Sequence, residues 1–287
     1  MTEVQKKPCP PLVGADIECF LADEETYEPI PCVGLVPGTK ECPLPMEGLP
    51  KGYALQEDNV MLEFNIPPAK TYTAFTASVS KARSYMYDYI NKKRPNTEIL
   101  FQTDMLFKAK DLTSPQAQLI GCEPDLDAYH GGAVRTIRDN KLGRWRSAGG
   151  HIHLGGDFQC PDFVAALFCD VALGLACDLS GIMDNRRAEW YGQPGVFRSK
   201  PYGIEYRTPS CTWAGSRKQT QNVGARALGL SKWLTETDAR DIQRVFRKID
   251  WAEVRSAMMI DTTMTTNQRR TRRNNILHKA RMEGFPV

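Results

Sequence analysis

The chain has 287 residues, 41% hydrophobic and 25% charged, ordinary values for a soluble globular protein long enough to bury a sizeable core. Its 37 Lys and Arg against 34 Asp and Glu leave a net charge of +3, too mild a balance to imply nucleic acid by itself. The nine cysteines are odd in number and include no C-x-x-C pair, so zinc-ribbon and thioredoxin readings find no support and free thiols in a reducing cytoplasm are the simplest account. The start, Met1 to Pro11, is polar and Pro-rich and carries no signal-peptide pattern. The longest apolar stretch, residues 163–183, holds Asp170 and Asp178, which suits a buried helix and not a membrane span.

In chain order, residues 12–21 open with Gly14 and alternate roughly in period two, which predicts a strand with Asp16 and Glu18 on one face. Residues 23–53, rich in Pro, Gly and acids, read as a long loop, a feature often functional in compact domains. Residues 54–66 read as two short strands, or one bent strand, around Asp58-Asn59, ended by Pro67-Pro68. A helix is expected from about Tyr72 to Lys93, stopped by Arg94-Pro95-Asn96. A strand over 97–107 follows, then a short helix over 111–119 capped by Thr113 or Ser114, and the Gly/Asp-rich turn GCEPDLDAYHGG (121–132). Residues 146–156 form a strand framed by glycines, 161–183 a helix after Pro161, and 197–213 contain another alternating strand. Helices over 217–235 and 238–258 bury Trp233 and Trp251. Strands and helices do not alternate as a doubly wound sheet requires, so the fold class is α+β with a mostly antiparallel sheet. Residues 1–260 read as a single domain and 261–287 as a basic C-terminal tail.

Four segments put metal-type or phosphate-type ligands on strands. Asp16 and Glu18 repel each other on one face, a repulsion that a divalent cation resolves; a solvent-facing edge is the alternative. Glu57-Asp58 and Glu63 follow, with Asn65 on the side of Glu63; a solvated face is again the alternative. His151 and His153 are two of only four histidines, share one side of their strand, and sit between glycines that let a ligand approach closely. Glu205 and Arg207 share a strand face, either as a structural ion pair or, with Arg198 and Lys200 upstream, as charge for phosphate oxygens. Carboxylates with imidazole suit Mg²⁺ or Mn²⁺.

Four motifs in this order, LEFNIPPA (62–69), GCEPDLDAY (121–129), GGHIHLG (149–155) and EYRTPS (205–210), resemble the phage-type carboxylate–amine ligases of the glutamine synthetase and glutamate–cysteine ligase superfamily. The resemblance covers about residues 12–240. It implies a curved, mostly antiparallel sheet (a glutamine synthetase-like catalytic fold) lining a funnel, with ATP and two or three divalent ions inside. Carried over by position, Glu18 and Glu63 resemble ligands of one metal, and Asp16, His151 and Glu205 ligands of the metal near the transferred phosphate. The family often has Glu where this chain has Asp16. Glu57 and Asp58 compete for a further ligand position. Arg207, with Glu63 and Glu205, is the expected catalytic set; Arg198, Lys200, Arg207 and His151 are expected to meet the nucleotide. His153, Asn65, Asp125 and Asp127 are expected to face substrate, the two aspartates having turn formation as their alternative.

The implied reaction activates a small-molecule or peptide carboxylate with ATP as an acyl-phosphate, which an amine then attacks. Two rival readings use the same residues: a metal-dependent phosphotransferase or hydrolase, and a non-catalytic binding or virion-associated protein. The basic tail is a candidate surface for nucleic acid, with a solvated tail as the alternative. No membrane partner is expected, and a phage origin would place the protein in the host cytoplasm.

Overall fold

A computed structural model of the chain describes residues 9–118, 125–135, 143–177, 187, 191–259, 261 and 263–287. Its strands are β1 (Leu12–Asp23), β2 (Pro29–Ile30), β3 (Leu44–Pro45), β4 (Ala54–Asp58), β5 (Met61–Ala69), β6 (Thr97–Leu100), β7 (Asp104–Leu106), β8 (Asp125–Asp127), β9 (Ala133–Arg135), β10 (Trp145–Ser147), β11 (Gly150–Gly155), β12 (Val196–Lys200) and β13 (Gly203–Tyr206). Its helices are α1 (Tyr72–Lys93), α2 (Pro115–Gln118), α3 (Asp162–Cys169), α4 (Arg217–Glu236), α5 (Ala239–Lys248), α6 (Trp251–Met258) and α7 (Thr266–Met282). Part of the GCEPDLDAY motif (121–124) and the continuation of the third expected helix past Cys177 lie outside the described residues.

Eleven strands form one antiparallel sheet in the order β3-β4-β5-β1-β11-β13-β12-β8-β9, with β2 and β6 also pairing to β1; β7 and β10 make a separate ribbon. The class is α+β with an antiparallel sheet, as expected. The expected curvature is not there: the sheet neither curls nor closes on itself, and its path runs between two edge strands, β3 and β9. Sheets are bent by repeated bulges, and the long β1–β5 pairing carries a single register shift, between Val13 and Ala15. The glutamine synthetase-like curved sheet is therefore corrected to an open one.

β1 is the spine. Its first half pairs with β11, most of its length with β5, and its end with β6 and β2. β4 and β5 join as a hairpin at Asn59, whose φ of 59° an asparagine tolerates better than most residues. Pro67 and Pro68 do not end β5: β4 stops before them at the Ala54–Asn65 pair, and on the β1 side they fall in the register shift between the Ile66–Ala15 and Ala69–Val13 pairs, where the ladder does without their missing N–H groups.

The helices cover one sheet face. α1 starts at Thr71, whose side chain accepts from Ala74 N–H, and buries Phe75, Val79, Ala82, Met86 and Ile90, one stripe at helical spacing. It packs on β5 and on α4. Ile17, Phe64, Ile152, Leu154, Ile204 and Tyr206 fill the strand side of this core. The expected helix over 238–258 breaks into α5 and α6 at Asp250, which accepts from Glu253 N–H at 3.0 Å. Most of the basic C-terminal segment is folded: α7 buries Ile276, Leu277 and Ala280, and Phe285 stacks on Phe168 at 4.9 Å. Among the described residues no helix is long and apolar enough to cross a membrane.

Candidate active site

Period two along antiparallel strands carries the chemistry onto the face opposite the helices. On β1, Ile17 and Cys19 enter the core, so Asp16 and Glu18 point the other way. The registers then build a ladder across six strands. Gln56 pairs with Glu63, Glu18 with Glu63 and Asp16 with Asn65, Asp16 with His151, His153 with Glu205, and Glu205 with Arg198.

Two clusters form on this face. Asp16, His153 and Glu205 each offer a ligand atom within 4.8 Å of the others, and so do Glu18, Asp58 and Glu63. Around the first, His151 Nδ1 lies 2.9 Å from Asp16 Oδ1 and 3.8 Å from Glu205 Oε1, and His153 Nε2 lies 3.2 Å from Asp16 Oδ2. Neither Asp16 Oδ1 nor His153 Nε2 makes an aligned hydrogen bond. Atoms this close that do not bond each other in line could be shared by one cation.

The two clusters differ in charge balance. Burial pushes the Asp16 carboxyl up, but His153 and His151 outweigh it and hold it well below the ordinary value. Glu205 feels burial and Asp16 against Arg207, His151 and His153, and ends lowered to about 2. Lys200 Nζ stands 2.7 Å from its Oε2. In the second cluster burial raises Glu18 and Asp58. Glu63 is raised well above its ordinary value by burial and then by the charges of Asp16, Asp58 and Glu18. Three crowded carboxyls that resist ionising together could hold a hard divalent cation.

The other expected residues fall as follows. Glu57, on the opposite side of β4 from Asp58, accepts from Gly34 N–H at 2.7 Å and Val36 N–H at 3.2 Å; it braces a loop and does not join the cluster. Arg207 pairs with Glu205 and lies 2.9 Å from Asp125 through Nε, while Arg198 Nε is 3.2 Å from the same Asp125 oxygen. Asp125 thus aligns two arginines. Asp127 accepts from Tyr129 N–H at 2.9 Å and holds a turn. Asn65 donates to Gln56 at 3.4 Å. Beside His153 a cavity of about 290 Å³ is lined by Leu12, Ile66, Pro68 and Tyr202 among others.

Three contributors went unnoticed in the sequence. Tyr202 hydrogen-bonds His153 through its hydroxyl. Arg187 is buried beside His151, its Nη2 3.4 Å from the ring Nε2; no spacing in the sequence signals it. Asp170, read only as an acid in an apolar helix, accepts from Tyr206 at 2.6 Å, Tyr129 at 2.8 Å and Gly195 N–H at 3.0 Å. Those three partners lie on or beside the strands that carry Glu205, Asp125 and Arg198.

No curated protein compared with the chain matches it. The model of one family does, over residues 142–277, which take in the histidine strand β11, Arg187 and the strands of Arg198, Glu205 and Arg207. Over that stretch, a little under half of its length, the chain is similar to the phage phiEco32-like COOH.NH2 ligase-type 2 family.

Proposed function

We propose that the protein is an ATP-dependent carboxylate–amine ligase that forms an amide or peptide-like bond through an acyl-phosphate. The observation that carries this reading is the pair of clusters, Asp16/His153/Glu205 and Glu18/Asp58/Glu63, on one sheet face with Lys200 and Arg207 against Glu205. Glu18, Asp58 and Glu63 would hold one divalent ion, and Asp16, Glu205 and an imidazole a second. Mg²⁺ or Mn²⁺ bound there supplies positive charge against crowded phosphate oxygens.

This chain's residues do the rest. Arg207, aligned by Glu205 and Asp125, faces the charge that develops as a substrate carboxylate oxygen displaces ADP from the γ-phosphorus. Arg198 and Lys200 extend that basic row for the nucleotide. The apolar cavity beside His153 suits a flat nucleobase. In the second half-reaction the amine displaces phosphate from the acyl carbon, and Glu63 takes the amine's proton, because an ammonium is no nucleophile. Small-molecule or peptide acids and amines are the proposed partners.

The test is ADP release from a panel of acids and amines with Mg²⁺ or Mn²⁺. The ligase reading expects release only when both an acid and an amine are present, and its loss in Glu205→Gln. Release with water alone would instead favour a phosphohydrolase.

A further inference from the structure

Arg187 is only 3% exposed. Its Nη2 donates to the Arg207 carbonyl oxygen at 2.9 Å, and its Nε finds no acceptor among the described residues. Among the described residues it forms no ion pair with a carboxylate; Glu18 and, more weakly, Asp104 attract its charge from farther off. A guanidinium taken out of water without an anion is costly, and its fork of five N–H donors matches two oxygens at once.

The backbone is shaped around this side chain. A Cβ on Gly149 would stand 2.9 Å from Arg187 Nη2, and one on Gly192 would stand 2.8 Å from its Cγ. The same Gly149 donates its N–H to Glu18. The guanidinium therefore sits between the two clusters, with His151 beside the first and the Glu18-binding glycine of the second as neighbours. Among the described residues that charge has no ion-pair partner at this position, which leaves its fork open to a ligand anion.

We infer that Arg187 binds the terminal phosphoryl group of a nucleoside triphosphate, the group that lies between the two clusters when both grip the triphosphate. This rests on the ligase reading above. Arg207 approaches the same anion from the strand, and the Arg187 donation to the Arg207 carbonyl ties the two together. The terminal phosphoryl group supplies the oxygen acceptors that the Arg187 fork lacks, and a diphosphate does not reach it.

The experiment is calorimetric binding of ADP and of a non-hydrolysable triphosphate analogue, with Mg²⁺, to the full chain and to Arg187→Met and Arg187→Lys. Arg187→Met is expected to weaken the triphosphate analogue by about tenfold or more while leaving ADP within about twofold, with Arg187→Lys in between. Equal losses for both nucleotides, or none, in variants that keep the wild-type circular dichroism would overturn the assignment. If Arg187→Met does not fold, Arg187→Lys carries the same comparison. Should the wild type bind neither nucleotide, the ligase reading itself fails. Should it make an amide while Arg187→Met and Arg187→Lys discriminate like wild type, only this inference falls.

Discussion

Glu205 is held from three directions, by Lys200 at 2.7 Å, by Arg207 and by Arg198 at 3.8 Å, and stays ionised at any pH above about 2. Glu205→Gln keeps the shape and removes the charge, so Arg207 and a cation lose their common counter-charge. ADP release should fall by about a hundredfold or more with the fold intact by circular dichroism. Glu57→Gln is the contrast. Its carboxylate serves Gly34 and Val36, so turnover should stay within about twofold while denaturant unfolding shows a loss of about 0.5–1.5 kcal/mol; a dead Glu57→Gln would put that residue back in the site. The choice between Glu57 and Asp58 was open in the sequence because two adjacent acids on a strand look alike until register is known. The Gln56–Glu63 pair turns Asp58 to the cluster face and Glu57 away from it. Period two alone was enough to gather Asp16, Glu18, Glu63, His151, His153 and Glu205. It says nothing of Arg187, which reaches the site from outside the sheet.

At the scale of elements, Asp170 is the knot. It begins a π-helical turn, Asp170–Leu175, a rare geometry often found near functional sites, and accepts from three segments that carry site residues. Burial raises its carboxyl to about 7, against the bonds from Tyr206, Gly195 and Tyr129 that pull it down. Between about pH 4 and pH 7 the folded chain thus keeps a proton that the unfolded chain releases, and stability falls as pH rises through that window. Asp170→Asn cannot titrate. Its unfolding free energy should gain on that of wild type by roughly 2–4 kcal/mol from pH 4 to pH 7, read from urea unfolding at both values; parallel pH curves would sink this account. Elements set by their own residues were legible, such as α1 with its Arg94-Pro95-Asn96 stop. Elements set by partners were not. The expected strand over 97–107 splits because Thr97–Leu100 pairs with β1 while Asp104–Leu106 pairs with β10, a choice made by tertiary pairing.

For the whole molecule, the open sheet leaves the site as a broad anionic face framed by basic residues, and its net balance without a cation is unfavourable. Glu18, Asp58 and Glu63 all have raised carboxyls. Above the ordinary carboxylate range the folded chain therefore binds more protons than the unfolded one, and stability falls as pH rises toward the raised values. A divalent ion that takes these oxygens reverses the loss, adding about 2.7 kcal/mol at a hundred times its dissociation constant. Mg²⁺ or Mn²⁺ should raise the melting temperature by several degrees, more at pH 8 than at pH 5, since protons and cation compete for the same atoms. Glu63→Gln removes the acid most strongly raised by its neighbours. It should be more stable than wild type without metal at pH 8, and should gain little when metal is added. A wild type whose melting temperature ignores both ions, or a Glu63→Gln variant that responds as fully as wild type, would mean that the three acids tolerate one another without a cation.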